Sequence, residues 1–193
     1  MIDHDNLEDF RDPQIYDLQD EGYYDDYPLT EQWARVTGGP LLALACGTGR
    51  MALRMADLGY QVTGVDITPE MIAWARQKAA KQNLSIEWVV ADARTFHLGK
   101  QFAFIYMLEN VFQFFLTRAD QEAMLARVCK HLLPEGCFLF ETRNPTPRNL
   151  FEAGNYAECS TDFEQGFSVA LNDASRQQML AVVSYASIKQ KLW

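Results

Sequence analysis

A short apolar run that breaks into a bend of very small residues limits the fold of this chain more than any other feature. Residues 40–45, PLLALA, lie between Gly38-Gly39 and Gly47. A continuous apolar run of that length, fenced by glycines, reads as a strand buried on both faces. Cys46-Gly47-Thr48-Gly49 follows, and then RMALRMADLGY places Met51, Leu53, Met55 and Leu58 on a helix that stops at Gly59. Small residues let the backbone turn sharply and let a ligand approach the main chain, where it would meet amides at the helix start.

The elements that follow repeat the alternation. QVTGVD is a second strand ending at Asp66, and Thr68 and Pro69 can open the next helix, whose apolar face takes Met71, Ile72, Ala75 and Ala79. SIEWVVAD is a third strand, QFAFIYML a fourth, Gln121–Leu133 a helix and GCFLFET a fifth strand. This order predicts an α/β fold, a doubly wound and mostly parallel sheet with right-handed crossovers. After Pro145 the pattern changes. FSVALND and MLAVVSYASIKQ, separated by DASRQ, predict a C-terminal antiparallel strand pair. The expected organisation is an acidic segment over 1–27, a ligand-binding core over 28–145 and an antiparallel extension over 146–193.

Charge narrows the class of partner. The net charge of −9 is already present in residues 1–27, which hold ten acids and one base, so the remaining 16 acids and 16 bases balance. A neutral body with no basic stripe argues against a nucleic-acid partner, since phosphate neutralisation supplies most of that affinity. The acidic head reads either as a solvated tail or as a lid packed through Tyr16, Tyr23, Tyr24 and Tyr27. No apolar run approaches the length that spans a membrane, and MIDHDNLEDF lacks the basic-then-apolar pattern of a secretory signal. Cys46, Cys129, Cys137 and Cys159 have no CxxC spacing and read as reduced cytoplasmic thiols. His4, His97 and His131 have no ligand spacing, so no metal is expected.

Asp66 comes about twenty residues after the glycine turn and ends the second strand. A carboxylate there can accept both hydroxyl hydrogens of a ribose. Asp92 ends the third strand and can reach an adenine edge. Both belong to the carboxyl edge of the sheet, where ligands of open α/β sheets bind. A nucleoside-containing ligand follows. Gly47-Thr-Gly49-Arg-Met-Ala52 also fits the dinucleotide pattern GxGxxG/A, which leaves a nicotinamide-dependent oxidoreductase as a competing reading.

Over residues 36–145 several stretches, in order, resemble the motifs of the class I S-adenosylmethionine-dependent methyltransferases. They are LLALACGTGR, GYQVTGVDITPEMIAWAR, VVADAR, FAFIYMLENVFQFF and HLLPEGCFLFETRNP. The resemblance implies a Rossmann-like methyltransferase fold, S-adenosylmethionine as cofactor and S-adenosylhomocysteine as product. It implies that Ala45, Gly47, Thr48 and Gly49 line the methionine part and that Asp66 binds the ribose hydroxyls. It further implies that Ile67 packs on adenine, that Asp92 and Ala93 meet the adenine amino group and ring, and that Met107 flanks the cofactor beside the acceptor. Family members usually carry an acid at the place of Ala43 and a glycine at that of Ala45. The methyl of Ala45 is tolerated if its dihedrals are ordinary, whereas Ala43 removes a carboxylate that orders the turn and the methionine amine. An inactive interaction module is the alternative these departures raise.

The base-amino signature D/N-P-P-Y/F is missing where Tyr106-Met-Leu-Glu-Asn110 stands, which with the neutral body disfavours DNA; the acceptor is expected to be a small molecule, with a protein as the next reading. Asn110, Phe112, Gln113 and Arg143 can face it, with Asn144 beside Arg143. Phe114, Phe115 and Leu116 read as core. No catalytic base stands out; Glu109, His97 and Tyr106 are the candidates. Cys46, with no adjacent His or Asp, reads as a small turn residue rather than a nucleophile. Trp74 and Trp88 read as packing residues. The family's closing hairpin is not evident, so the fifth strand would be an open edge that pairs with the chain's own C-terminal strands or with a second copy.

Overall fold

The computed structural model describes residues 12–19, 22–143, 168–171 and 178–184. Residues 1–11, 20 and 21 of the acidic head, Asn144, Cys159 and the DASRQ turn lie outside the described residues. Two helices not expected from the sequence, α1 (Pro13–Gln19) and α2 (Tyr27–Thr37), precede the sheet. The body then runs β1 (Leu41–Leu44), α3 (Arg50–Asp57), β2 (Val62–Asp66), α4 (Pro69–Lys81), β3 (Glu87–Val90) and β4 (Phe102–Met107). A 3-10 turn at Val111–Phe114 leads to α5 (Arg118–His131) and β5 (Leu132–Arg143).

The sheet order is β3-β2-β1-β4-β5, all parallel. The backbone of β7 (Gln178–Ser184) runs antiparallel beside β5, with β6 (Ser168–Leu171) beyond it. β1, β2 and β4 are buried at every residue, as strands covered by helices on both faces must be, whereas edge strand β3 is buried fully only at Trp88.

The pleat sends alternate residues to two cores. Leu41, Ala43, Phe104 and Tyr106 pack with Ala34, Met51, Ala52, Met55, Ile72 and Ala75 from α2, α3 and α4. Leu42, Leu44, Ile105 and Met107 pack on the opposite face with Met124 and Val128 from α5. Helices on both faces make this the doubly wound α/β architecture expected from the element order. Among the described residues no helix is long and apolar enough to cross a membrane.

Two glycines near the turn have a packing reason. A Cβ on Gly49 would stand 2.6 Å from Trp88 Cη2 and 3.2 Å from Ala75 Cβ, and one on Gly64 would collide with the same indole. Trp88, 7% exposed, therefore wedges α3, β2 and α4 together through two positions that carry no side chain.

Candidate active site

The turn after β1 is built from left-handed residues. Ala45 has φ 54°, Gly47 φ 53° and Gly49 φ 83°. The dihedrals of Ala45 are thus not ordinary, and its methyl carries backbone strain that glycine would avoid. The Cys46 amide donates to Val65 O (2.9 Å) and the Gly49 amide to Cys46 O (2.8 Å), which ties the turn to β2 and closes it. Burial pushes the Cys46 thiol well up, so it stays protonated and inert as a nucleophile.

Asp66, at the end of β2 and 8% exposed, is held by main-chain donors. Its Oδ2 accepts the Gly47 amide at 2.7 Å and its Oδ1 the Thr68 amide at 2.9 Å. The Gly47 amide thus faces Asp66 instead of being open to a ligand. Thr68 stands at the start of α4, but its hydroxyl makes no capping bond there. Burial raises the Asp66 carboxyl, and the amides of Thr68 and Gly47 draw it back down.

A cleft of about 350 Å³ opens at this edge of the sheet. It brings together Ala45, Gly47, Thr48, Asp66, Ile67, Asp92 and Ala93. Gly49 is not among the lining residues, because it faces Trp88. Met107 is not either. It is the last residue of β4, fully buried on the α5 side, and the pleat turns Tyr106 and Leu108 to the cleft in its place. Asp92 lines the cleft but already has a partner. Its carboxylate takes a two-toothed bond from Arg94, with Nη2 to Oδ2 at 2.7 Å, and Arg94 reaches on to Asp120 at 2.8 Å. Burial works to raise the Asp92 carboxyl, and Arg94 outweighs it and holds the group below its usual range.

The far end is held by side-chain charge. Arg50, first residue of α3, places Nη1 and Nη2 on the Asp26 carboxylate at 2.8 and 2.6 Å, and Nη2 on Glu109 Oε1 at 2.7 Å. Tyr23 and Tyr27 stack under the guanidinium at 5.2 and 5.3 Å. Burial opposes the charge on Arg50, but the two carboxylates outweigh it and raise the group further. Tyr16 donates its hydroxyl to Glu109 Oε2. The Glu109 amide in turn donates to Glu141 Oε2 on β5. Glu141 is 1% exposed and its Oε1 has no partner among the described residues. Burial pushes Glu141 up to about 7, against the pull of the Glu109 amide.

Neither Arg50 nor Asp26 was singled out by sequence reasoning. The signal was a cation on the first residue of a helix, where the backbone dipole disfavours it unless carboxylates stand nearby, and an acid-crowded segment upstream. Of the acceptor-facing candidates, Phe112 is partly buried and packs tilted against Phe140 with ring centroids 4.8 Å apart. Gln113 is exposed and bonds Thr142, and the Asn110 side-chain oxygen is buried without a partner among the described residues; neither residue lines the cleft. The Arg143 side chain lies outside what is described. Phe114 (47% exposed) and Leu116 (74%) are not core, and with Phe115 they line the cleft mouth. His97 lies away from the cleft, edge-on to His131 at 5.9 Å. Burial pushes the Tyr106 phenol well up, which makes it a poor base, so Glu109 is the candidate base that remains in the cleft.

α1 sits at the mouth. Tyr16 lines the cleft, and a Cβ on Gly47 would lie 3.9 Å from its ring. Next to it, Asp17 accepts from the Thr48 hydroxyl, from Trp74 Nε1 at 2.7 Å and from Lys78 Nζ at 2.7 Å. Trp74 is therefore a hydrogen-bond donor to α1 as well as a packing residue.

Residues 41–136 match the model of a methyltransferase domain family. The methyltransferase-family protein YqeM of Bacillus subtilis is 30% identical over 132 residues, covering 67% of this chain and 53% of its own. A dTDP-3-amino-3,6-dideoxy-α-D-glucopyranose N,N-dimethyltransferase of Streptomyces fradiae is 29% identical over 135 residues, covering 66% and 51%. The chain thus spans about half the length of the curated relatives it matches. Among solved structures, PH0226 of Pyrococcus horikoshii superposes with a TM-score of 0.67 at 21% identity, over 91% of this chain and 93% of that one. The glycopeptide N-methyltransferase MtfA, complexed with S-adenosyl-L-homocysteine, gives 0.60 at 20% identity over 90% and 98%.

Proposed function

This chain belongs to the class I S-adenosylmethionine-dependent methyltransferase family, and from that membership we propose that it transfers the methyl group of S-adenosylmethionine to a small-molecule acceptor. The observation that carries the reading is the convergence of the Gly47 turn, Asp66 and Asp92 on one cleft. The residues fit the cofactor. Each Asp66 oxygen already accepts one amide, and a carboxylate oxygen has a second lone pair for a ribose hydroxyl. Ile67, Met71, Ala91 and Ala93 supply apolar walls for a purine.

When bound, the cofactor supplies a methyl group on a positively charged sulfur, which a nucleophile displaces in line. The protein's part is positioning. Asp66, fixed by two amides, orients the sugar, and Asp92 with Arg94 borders the purine edge. Glu109, fixed by Arg50 and Tyr16, presents a carboxylate to the acceptor side and orients a donor hydrogen there. Orientation of this kind can be worth about 7–11 kcal/mol of barrier. Val111, Phe114, Phe115 and Leu116 exclude water from the acceptor side.

A small acceptor suits a cleft of this size and a body whose charges balance. The name of the Streptomyces fradiae relative, an N,N-dimethyltransferase of a dTDP-amino sugar, supports the same class. Calorimetric titration with S-adenosylhomocysteine tests the reading. Binding is expected, and Asp66→Ala should weaken it about 10–100-fold, the worth of hydrogen bonds to a charged group. A wild-type protein that takes up no ligand, or an unaffected mutant, defeats the reading.

A further inference from the structure

Helix α1 is attached to the body by polar groups rather than by apolar packing. None of its residues is buried, and its Ile15 and Leu18 side chains are 53% and 69% exposed. What holds it is concentrated at one carboxylate. Asp17 accepts from Trp74 Nε1 and Lys78 Nζ of α4, each at 2.7 Å, and from the Thr48 hydroxyl at 2.5 Å in the turn after β1. A segment held by exposed polar bonds with little buried apolar area opens locally at low cost.

The residue before the anchor has a different role. Asp17 does not line the cleft, whereas Tyr16 does. The Tyr16 ring lies over the cofactor turn, 3.9 Å from where a Cβ on Gly47 would stand, and its hydroxyl bonds Glu109 at the acceptor end. One side chain therefore spans the two ends of the cleft, and it is carried by the least buried helix that touches it. A ligand in the cleft meets Tyr16 only while α1 is docked. A contact offered by one of two states shifts the population toward that state. Ligand and strap thus stabilise each other, and escape of the ligand requires Asp17 to release its three donors.

We propose that α1 is a strap that closes over the ligand, latched to the body at Asp17 and carrying Tyr16 as the wall that joins the two ends of the cleft. The proposal rests on the reading of this cleft as the S-adenosylmethionine site and adds the element that retains the ligand there.

Asp17→Ala removes the latch, and Lys78→Met removes its charged partner on α4; neither residue lines the cleft. S-adenosylhomocysteine is the probe. In stopped-flow displacement it should leave Asp17→Ala about tenfold faster than wild type, the worth of a hydrogen bond to a charged group, and Lys78→Met by a smaller factor. Hydrogen exchange read by mass spectrometry gives the second signal. In the wild-type protein S-adenosylhomocysteine should slow exchange across residues 13–19. In Asp17→Ala those amides should exchange faster without ligand, while β1 and β4 keep their wild-type protection.

Unchanged dissociation in both mutants overturns the proposal, and so does exchange across 13–19 that ignores the ligand. Faster dissociation accompanied by lost protection in β1 and β4 marks a general loosening of the fold and overturns it as well. A wild-type protein that takes up no S-adenosylhomocysteine defeats the methyltransferase reading first, and the strap falls with it.

Discussion

The two ends of the cleft are fixed by different means. At the sugar end, Asp66 is held by amides of Gly47 and Thr68, the latter two residues away and the former 19. Main-chain donors of this kind persist whatever side chains surround them. At the acceptor end, Glu109 is fixed by Arg50, which lies 59 residues away, and by Tyr16, which lies 93 away. That geometry exists only while distant side chains keep their charges. The contrast teaches that one end is a property of local backbone and the other a property of assembled ionisation states.

Charge removal at the acceptor end should have the largest effect. Arg50→Met strands Asp26, whose side chain is 1% exposed, as an unpaired buried acid. Breaking a buried pair in this way costs about 3–5 kcal/mol, read as a lower urea midpoint. Methylthioadenosine affinity of the folded mutant should hold within about threefold, since Asp66 is held by the Gly47 and Thr68 amides and makes no bond to Arg50. A matching loss of nucleoside binding would erase the distinction between the ends.

The next effect is in pH. Glu141 sits at about 7 when folded against 4.5 for the ordinary group. The folded state therefore holds the proton more tightly, and this group's contribution to stability is full below pH 4.5 and declines as pH rises to about 7. Glu141→Gln keeps an acceptor for the Glu109 amide and removes the titration. It should match wild type near pH 4 and exceed it at pH 8 by on the order of 3 kcal/mol, measured by urea unfolding at both pH values. A parallel pair of curves would show that the acceptor end does not depend on this proton.

The smallest effect belongs to the sugar end. Ala45→Gly relieves a left-handed alanine worth about 1–2 kcal/mol, offset by the added freedom of glycine in the unfolded chain, about 0.4–1 kcal/mol. A net gain of roughly 0.5–1 kcal/mol should appear as a slightly higher thermal midpoint, with no change in its dependence on pH.

The same division explains what could be read from the sequence. Strand β1, the small-residue turn, helix α3 and Asp66 are consecutive or nearly so, and their periodicity and spacing carry the fold and the sugar end. Met107 is implied by the resemblance to flank the cofactor, but the pleat of β4 alternates faces, so Tyr106 and Leu108 line the cleft and Met107 is buried on the α5 side. Phe114 and Leu116 look like core by composition, and only the 3-10 turn after β4 sends them to the mouth. Arg50, Asp26 and Glu141 carry no local pattern, because their pairing depends on α2, α3 and β5 meeting in three dimensions. Asp92 is expected to end the third strand, but β3 stops at Val90 and Asp92 lies two residues beyond it, where the Arg94 guanidinium pairs with it in a turn that no strand or helix period marks.

Trp88 occupies room left by Gly49 and Gly64. Those three positions therefore behave as a single unit of variation. A bulkier residue at either glycine collides with the indole, and a smaller residue at 88 opens a void behind the turn. Substitutions there will show strong epistasis, tolerated as matched exchanges and rejected one at a time, so an engineer who wishes to reshape the floor of this cleft must redesign all three together.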